Sequence, residues 1–384
     1  MNRREWMGVA LGAVSAAGAA GALRYRAAVI GQTGDGDYGH DWDTAWNDIP
    51  SVEVVAVADS NEAGRRQAAQ RSHAQRQYAD YREMLQKEKP NFVGICSRVP
   101  DHRLEMAQAA AEAGAHMLIE KPLAADLITA DKIVQLADQR RVKISAGFIT
   151  SVHPAVLRAR EMVAAGEIGV LQEIRARGKE DKRAGGEDMA VLGPHLFDLM
   201  RLFAGDPQWV FAHVTEDGQE INRSRIRKPS EPVGPIAGKQ IAAMFAFQHG
   251  VHAYFGSKSS DVPDGSRFGF SLYGSKGVIR IPITKNPGGE PMILRSHSWV
   301  EGPQDAGWQR IEAPEGKRVD TREEANRIMS IDLIQAVEQN RQPARNAIDG
   351  RWTVEMLQGI YLSQNRGARV EFPLKDRRHP LEEL

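Results

Sequence analysis

The sequence predicts an α/β domain built on a parallel sheet, followed by an α+β domain rich in antiparallel strands. Three observations carry this. Between residues 26 and 147, short apolar runs alternate with stretches of helical composition, and strand–helix–strand repetition implies a parallel sheet covered on both faces. A glycine cluster follows the first apolar run. Beyond residue 150, the alternating runs Ile241 to Phe247 and Val251 to Phe255 flank the turn Gln248-His-Gly250, the pattern of an antiparallel pair.

Residues 1–22 precede this pattern. Arg3-Arg4 leads into a mildly apolar stretch, Trp6 to Leu11, and an Ala/Gly-rich run ending Ala20-Gly21-Ala22. A charged start, an apolar centre and a small-residue end describe an export signal. The arginine pair points to the twin-arginine route, and so to a periplasmic or otherwise exported protein. The alternative is a cytoplasmic protein with a frayed amino-terminal helix. The stretch is too short and too rich in Ala and Gly for a stable anchor, so no membrane span is expected after cleavage.

The first predicted strand is Arg26 to Gly31 and the second Val52 to Ala58. Helical composition follows at Asn61 to Ser72 and Tyr81 to Lys87. Asn91 to Cys96 is the third strand, and Arg103 to Ala113 an Ala-rich helix stopped by Gly114. His116 to Ile119 is the fourth strand. Leu127 to Arg140 places Leu127, Ala130, Ile133, Val134 and Ala137 at helical spacing, and Val142 to Ala146 is the fifth strand. Ligands of such a sheet bind beyond the carboxyl ends of its strands.

Composition narrows the function. Of 384 residues, 42% are apolar and 26% charged, which excludes collagen-like, coiled-coil and disordered chains. Fifty basic residues balance fifty acidic ones, so no basic footprint marks a nucleic-acid partner. The single cysteine, Cys96, excludes an intramolecular disulfide and a multi-cysteine metal site; in its apolar run it reads as a small buried residue. His249 and His252 are three apart on a strand pattern, which points them to opposite faces. No metal is expected.

The cluster Gly31-Gln-Thr-Gly34-Asp-Gly36-Asp-Tyr-Gly39-His40 joins the first strand to a predicted helix. Glycines there let the backbone approach a pyrophosphate. Gly34, Gly36 and Gly39 match the dinucleotide spacing, but three residues later than the strand end at Gly31, so the loop is longer than usual. Asp35 and Asp37 face solvent in this reading. Asp59 ends the second strand, where a carboxylate accepts hydrogen bonds from ribose hydroxyls and repels a 2′-phosphate. This favours NAD over NADP. Asp59-Ser60-Asn61 also suits a helix cap.

The fourth strand runs into Ile119-Glu120-Lys121-Pro122-Leu123. This resembles the Glu-Lys-Pro signature of the glucose–fructose oxidoreductase / inositol dehydrogenase / MocA family, and the resemblance runs from about Ala27 to Leu374. Ser97 to His102 resembles the family's loop after the third strand, with His102 at its histidine position. Gly147-Phe148, His153-Pro154, Gly166-Glu-Ile-Gly169, Tyr273 to Ile281 and Asp349-Gly350 resemble further segments. The resemblance implies an α/β Rossmann domain, residues 26–147, plus an α+β domain with a large, mostly antiparallel open sheet, residues 148–384. It implies NAD held by Gly31, Gly34, Gly36, Gly39, Asp59, Ser97, His102, Glu120, Lys121 and Pro122, and a cis Lys121–Pro122 bond. It also implies a homo-oligomer formed through the second-domain sheet.

Oxidation of a hydroxyl needs a base for its proton. Lys121, desolvated beside a cationic nicotinamide, has its pKa lowered towards neutrality, and Glu120 orients it. His195 aligns with the family's catalytic histidine in an Asp-x-Gly-x-His segment, but Val191 stands at the Asp position. A valine neither bonds a hydroxyl nor holds an imidazole tautomer; Glu187 and Asp188 are the candidate substitutes, and Asp198, three residues on, the candidate to orient His195. Lys182, in the charge run Lys179 to Arg183, and Asp198 are candidate substrate contacts. Trp299 and Trp308 either stack on sugar rings or pack a loop against the sheet. The expected function is NAD-dependent oxidation of a sugar, glycoside or polyol. A glycosidase or lyase that recycles its NAD is the second reading, kept open by Val191 and the export signal, and a silent NAD-binding partner is the third.

Overall fold

A computed structural model describes residues 25–283 and 290–382. The proposed signal, residues 1–22, lies outside these. Along the first domain run β1 (Tyr25–Ile30), β2 (Val52–Ala58), α1 (Glu62–Arg71), β3 (Arg76–Tyr78), α2 (Tyr81–Glu88), β4 (Phe92–Ile95), α3 (Arg103–Glu112), β5 (His116–Ile119), α4 (Leu127–Arg140) and β6 (Ile144–Ala146). The six strands are ordered β3-β2-β1-β4-β5-β6 and every pair is parallel. Their residues are nearly all apolar because both faces are covered. The order reverses between β1 and β4, which places the ligand crevice above those two strand ends. Asn61, Asp80 and Asp126 cap α1, α2 and α4 by accepting backbone N–H groups of Gly64, Arg82 and Thr129. The cap of α1 is therefore Asn61, not Asp59.

Two features differ from the sequence expectation. β3 is three residues long, polar and largely exposed, so no alternation marks it. The predicted third, fourth and fifth strands are accordingly β4, β5 and β6. After the glycine loop there is no α-helix. Gly39–Thr44 forms a 3-10 turn interrupted by His40 and Asp41, with φ of 53° and 59°, a left-handed pair that cannot continue a right-handed helix. The chain then drives Trp42 and Trp46 into the core beside Val29, Val57 and Phe92.

The second domain contains α5 (Ile149–Val152), α6 (Pro154–Ala164), β7 (Leu171–Arg177), α7 (Gly186–Val191), α8 (Gly193–Ala204), β8 (Trp209–Glu216), β9 (Gln219–Glu220), β10 (Gln240–Ala246), β11 (His252–Lys258), β12 (Gly269–Gly274), β13 (Gly277–Pro282), β14 (Met292–Leu294), β15 (Gln309–Arg310), α9 (Arg322–Glu338), α10 (Ala347–Arg366) and β16 (Val370–Glu371). Its open sheet is ordered β15-β14-β13-β12-β7-β11-β10-β8-β16 and is antiparallel except at β7–β11. The β10–β11 hairpin pairs Phe245 with Ala253. Alternate residues of β10 and β11 face a core with α8 and α10, where Phe197 meets Phe245 and Phe255.

Part of the segment 148–384 packs on the first domain rather than the second. α9 returns to the first, where Met329, Leu333 and Ile334 share a core cluster with Val29, Trp42 and Trp46. Arg345 O accepts the Ala146 N–H at 2.9 Å, beside the edge strand β6. Among the described residues no helix is long and apolar enough to cross a membrane.

Candidate active site

The glycine loop folds down onto the strand ends. A Cβ at Gly31 would stand 2.1 Å from the Tyr38 ring, and one at Gly36, with φ of 89°, 2.5 Å from Ser97 Oγ. Only glycine admits these approaches. A Cβ at Gly39 would meet Arg98 at 2.2 Å, while Gly34 faces open space. Asp35 and Asp37 are exposed as expected. Asp59 is buried at the end of β2. Its Oδ2 accepts Thr33 N at 3.0 Å and Thr33 Oγ1 at 2.6 Å, and its Oδ1 accepts Asn61 N at 2.9 Å. Its observed task is thus to clamp the loop to β2. Ser97 Oγ, past β4, donates to Asp35 O at 2.8 Å. A cleft of about 480 Å³ opens between the loop, α1 and Arg98.

The Glu-Lys-Pro segment leaves β5 beside this loop, and its Lys121–Pro122 peptide is cis. Arg103 fixes it. This buried guanidinium, on α3, donates to the carbonyl oxygens of Ser97, Glu120 and Pro122. Burial, against the pull of Glu120, lowers its pKa to about 10. His102, one residue earlier, is exposed and makes no capping bond to α3. Glu120 is buried, with His40 Nδ1 at 2.5 Å from Oε1 and Trp42 Nε1 donating to Oε2 at 2.5 Å. Burial would raise its pKa, but His40, Lys121 and Trp42 outweigh that and hold it at about 2.

Lys121 is 3% exposed. Its Nζ donates to Val191 O at 3.1 Å and lies 3.9 Å from Glu120 Oε1. Burial lowers its pKa, with Glu120 opposing. The position where the resemblance expects an aspartate therefore supplies a backbone carbonyl, while the Val191 side chain packs with Ala190, Val233 and Ile236. His195, on the first turn of α8, stands edge-on to Phe148, and its buried Nδ1 has no partner. Burial, then the charges of Lys121 and His40, press its pKa well below the ordinary imidazole value. Lys121 and His195 thus share one site.

Three expectations are corrected. Asp198 does not orient His195: its carboxylate accepts from Ser151 Oγ and pairs with Arg345 at 3.4 Å, because it faces α5 and the start of α10. Neither Glu187 nor Asp188 replaces the missing aspartate. Asp188 accepts from the Lys179 and Glu180 N–H groups and from Ser257 Oγ, and Glu187 accepts from Ser230. Lys182 is exposed; its neighbour Arg183 is the ordered cation, bound to Asp181 and, at 2.7 Å, to Glu231. Glu231 also lies 3.8 Å from Arg98 of the first domain. Through Glu231, whose charge also acts on Lys121, the loop 227–238 bridges the two domains. Sequence reasoning also passed over His40, Trp42 and Arg103, since nothing local marks residues that act by reaching Glu120 or its peptide 17 to 80 positions away. Trp299 packs on the sheet, its Nε1 donating to Gly274 O at 2.7 Å, and Trp308 lies against Arg280.

Comparison with known families settles the relationship. Residues 25–148 match the oxidoreductase family with an NAD-binding Rossmann fold, and residues 156–280 match its carboxyl-terminal domain. The chain belongs to the Gfo/Idh/MocA family. Among curated relatives, an uncharacterized oxidoreductase, ORF334, of Rhizobium meliloti is 30% identical over 54% of this chain and 66% of its own length. D-apiose dehydrogenase of Paraburkholderia graminis is 28% identical over 48% of this chain and 50% of its own length. The matches thus span about half to two thirds of these relatives. A solved levoglucosan dehydrogenase, in complex with NADH and L-sorbose, superposes with a TM-score of 0.75 at 18% identity, over 92% of this chain and all of that one.

The residues of this Gfo/Idh/MocA chain suit a nicotinamide nucleotide. Gly34 leaves open space at the loop crest, Arg71 and Arg98 border the cleft, and the imidazole of His195, with its Nδ1 unbonded, lies within electrostatic reach of the buried Lys121 amine. The Asp59 carboxylate, with both oxygens already bonded, retains little acceptor capacity for a ribose.

Proposed function

We propose that this protein is an NAD-dependent dehydrogenase of a sugar, glycoside or polyol hydroxyl. One observation carries the reading: Lys121, buried at the carboxyl edge of the sheet, rests its amine on an uncharged carbonyl near His195, whose Nδ1 has no hydrogen-bond partner. Bound NAD would accept hydride from the carbon bearing the hydroxyl. Lys121 Nζ, whose pKa burial lowers, takes the hydroxyl proton as hydride departs. His195, neutral at its depressed pKa, holds the substrate oxygen through a ring nitrogen. Arg183, Glu231 and Arg98, paired across the two domains near Lys121, would screen the reacting groups from water. The negative charge of Asp59 disfavours a 2′-phosphate and so selects NAD over NADP.

The dehydrogenases of levoglucosan and D-apiose among the similar proteins support a carbohydrate substrate. Export by the twin-arginine route is supported by Arg3-Arg4 and the small-residue end at Ala22. Association of two copies is supported by the outer sheet face, where Phe211 and Tyr254 are 45% and 39% exposed.

The test is a carbohydrate panel assayed with NAD on wild-type protein and Lys121→Ala. We expect nicotinamide reduction with some member, about 100-fold or more slower in Lys121→Ala, with NAD binding retained. Equal rates remove Lys121 from the mechanism. Glycoside cleavage without accumulated reduced nicotinamide would instead assign the recycled-cofactor chemistry, which the carbonyl in place of an aspartate at Val191 favours.

A further inference from the structure

Three donors surround the two oxygens of the buried Glu120. Trp42 Nε1 takes Oε2 at 2.5 Å. His40 Nδ1 lies 2.5 Å from Oε1, and Lys121 Nζ stands 3.9 Å from that same oxygen. The competition is uneven: the two ring nitrogens are in bonding contact, and the amine is left on Val191 O at 3.1 Å. A contact ion pair with Glu120 would fasten Lys121 as ammonium. A neutral carbonyl does so far less.

His40 is held in place from outside its loop. It and Asp41 adopt φ of 53° and 59°, a region in which two successive non-glycine residues are uncommon. Asn326 Nδ2, on α9, donates to His40 O at 2.8 Å. Arg322 of the same helix lies 3.2 Å from Asp41 Oδ2, and Arg71 of α1 lies 3.6 Å from Asp41 Oδ1. Backbone strain that is fixed by distant elements persists where those elements over-determine it, and the product of this strain is a ring aimed at Glu120.

We propose that His40 is a positioning residue for Lys121: by occupying Oε1 of Glu120 it stops the carboxylate from closing on the amine and keeps Lys121 free to accept a proton. This rests on the reading of Lys121 as the proton acceptor. The other charged groups around the amine are Arg98 beyond β4, Arg183 and Glu231 of the second domain, and His195 of α8. They are unchanged in every variant below and cancel in the comparison.

The experiment is competitive acetylation of the full chain with acetic anhydride over a pH series, read at Lys121 by peptide mass spectrometry. No substrate is needed. In His40→Ala, Oε1 is released to Lys121, and labelling at a fixed mildly alkaline pH falls about tenfold, the equivalent of one pKa unit. His40→Asn, whose amide can donate to Oε1, restores it. In a Glu120→Gln background His40→Ala has no effect, since no charge remains to close on the amine. Equal labelling of wild type and His40→Ala, at unchanged thermal melting, overturns the proposal. So does a fall that persists in the Glu120→Gln background, which would mark His40 as merely structural. Turnover of Lys121→Ala tests the underlying reading separately: its survival removes the catalytic role of the amine whatever the labelling shows.

Discussion

At the scale of single residues, the site is a set of buried polar groups whose partners decide their chemistry. Asp59 is the clearest case. A carboxylate at the end of β2 was legible from its position, but its bonds to Thr33 and Asn61 were not, because they depend on how the long glycine loop folds back. Asp59→Ala leaves three donors without an acceptor. It is expected to destabilise the protein by about 1–3 kcal/mol and to weaken NAD more than NADP. Melting curves and paired nucleotide titrations check this; equal weakening of both nucleotides would mean that Asp59 only clamps the loop. Lys121 and His195 were legible because the Glu-Lys-Pro and Gly-x-His segments are local strings. Arg103 and His40 were not, since nothing in the sequence shows that Arg103 gathers the carbonyls of Ser97, Val99, Glu120 and Pro122 or that His40 reaches Glu120. The role assigned to Asp198 failed for a related reason. Three residues along a helix is the right spacing for a shared face, but the aspartate found Ser151 and Arg345 instead.

At the scale of elements, apolar periodicity located the strands and helices of the first domain, and two failures are instructive. β3 is too short and polar to show a period. The expected helix after the glycine loop is displaced by the left-handed pair His40–Asp41, held by Arg322 and Asn326 of α9, some 280 positions away. The loop 227–238 is tied to the second domain by Glu187 and Arg183 and to the first by Arg98. Glu231→Ala cuts the tie between the domains. Its expected effect is a raised KM with kcat changed less, because closure over the substrate weakens while Lys121 keeps its carbonyl. Steady-state kinetics decide this, and an unchanged KM would show that the loop does not cover the substrate.

At the scale of the whole molecule, stability and assembly have their own signatures. His379, buried beside Tyr361 of α10, has its pKa pushed down to about 4 from 6.5 by loss of solvent. A histidine depressed on folding is protonated more readily in the unfolded chain. Stability is therefore fully present above about pH 6.5 and is lost as pH falls towards 4, by up to about 3 kcal/mol. His379→Gln is expected to flatten that acid limb of the melting-temperature profile, and a profile parallel to wild type would contradict it. The sheet's outer face carries Phe211 and Tyr254 in the open. Sedimentation analysis is expected to find an assembly larger than one chain, and Phe211→Asp to dissociate it; a monomeric wild type would leave that face unexplained.

The proposed chemistry requires a nicotinamide nucleotide to meet Lys121 above the first sheet. Calorimetric titration of the purified protein with NAD, and with NADP as comparison, tests this most directly. Stoichiometric NAD binding, tighter than NADP, is expected. Purified protein that holds no nucleotide and binds neither one would contradict it.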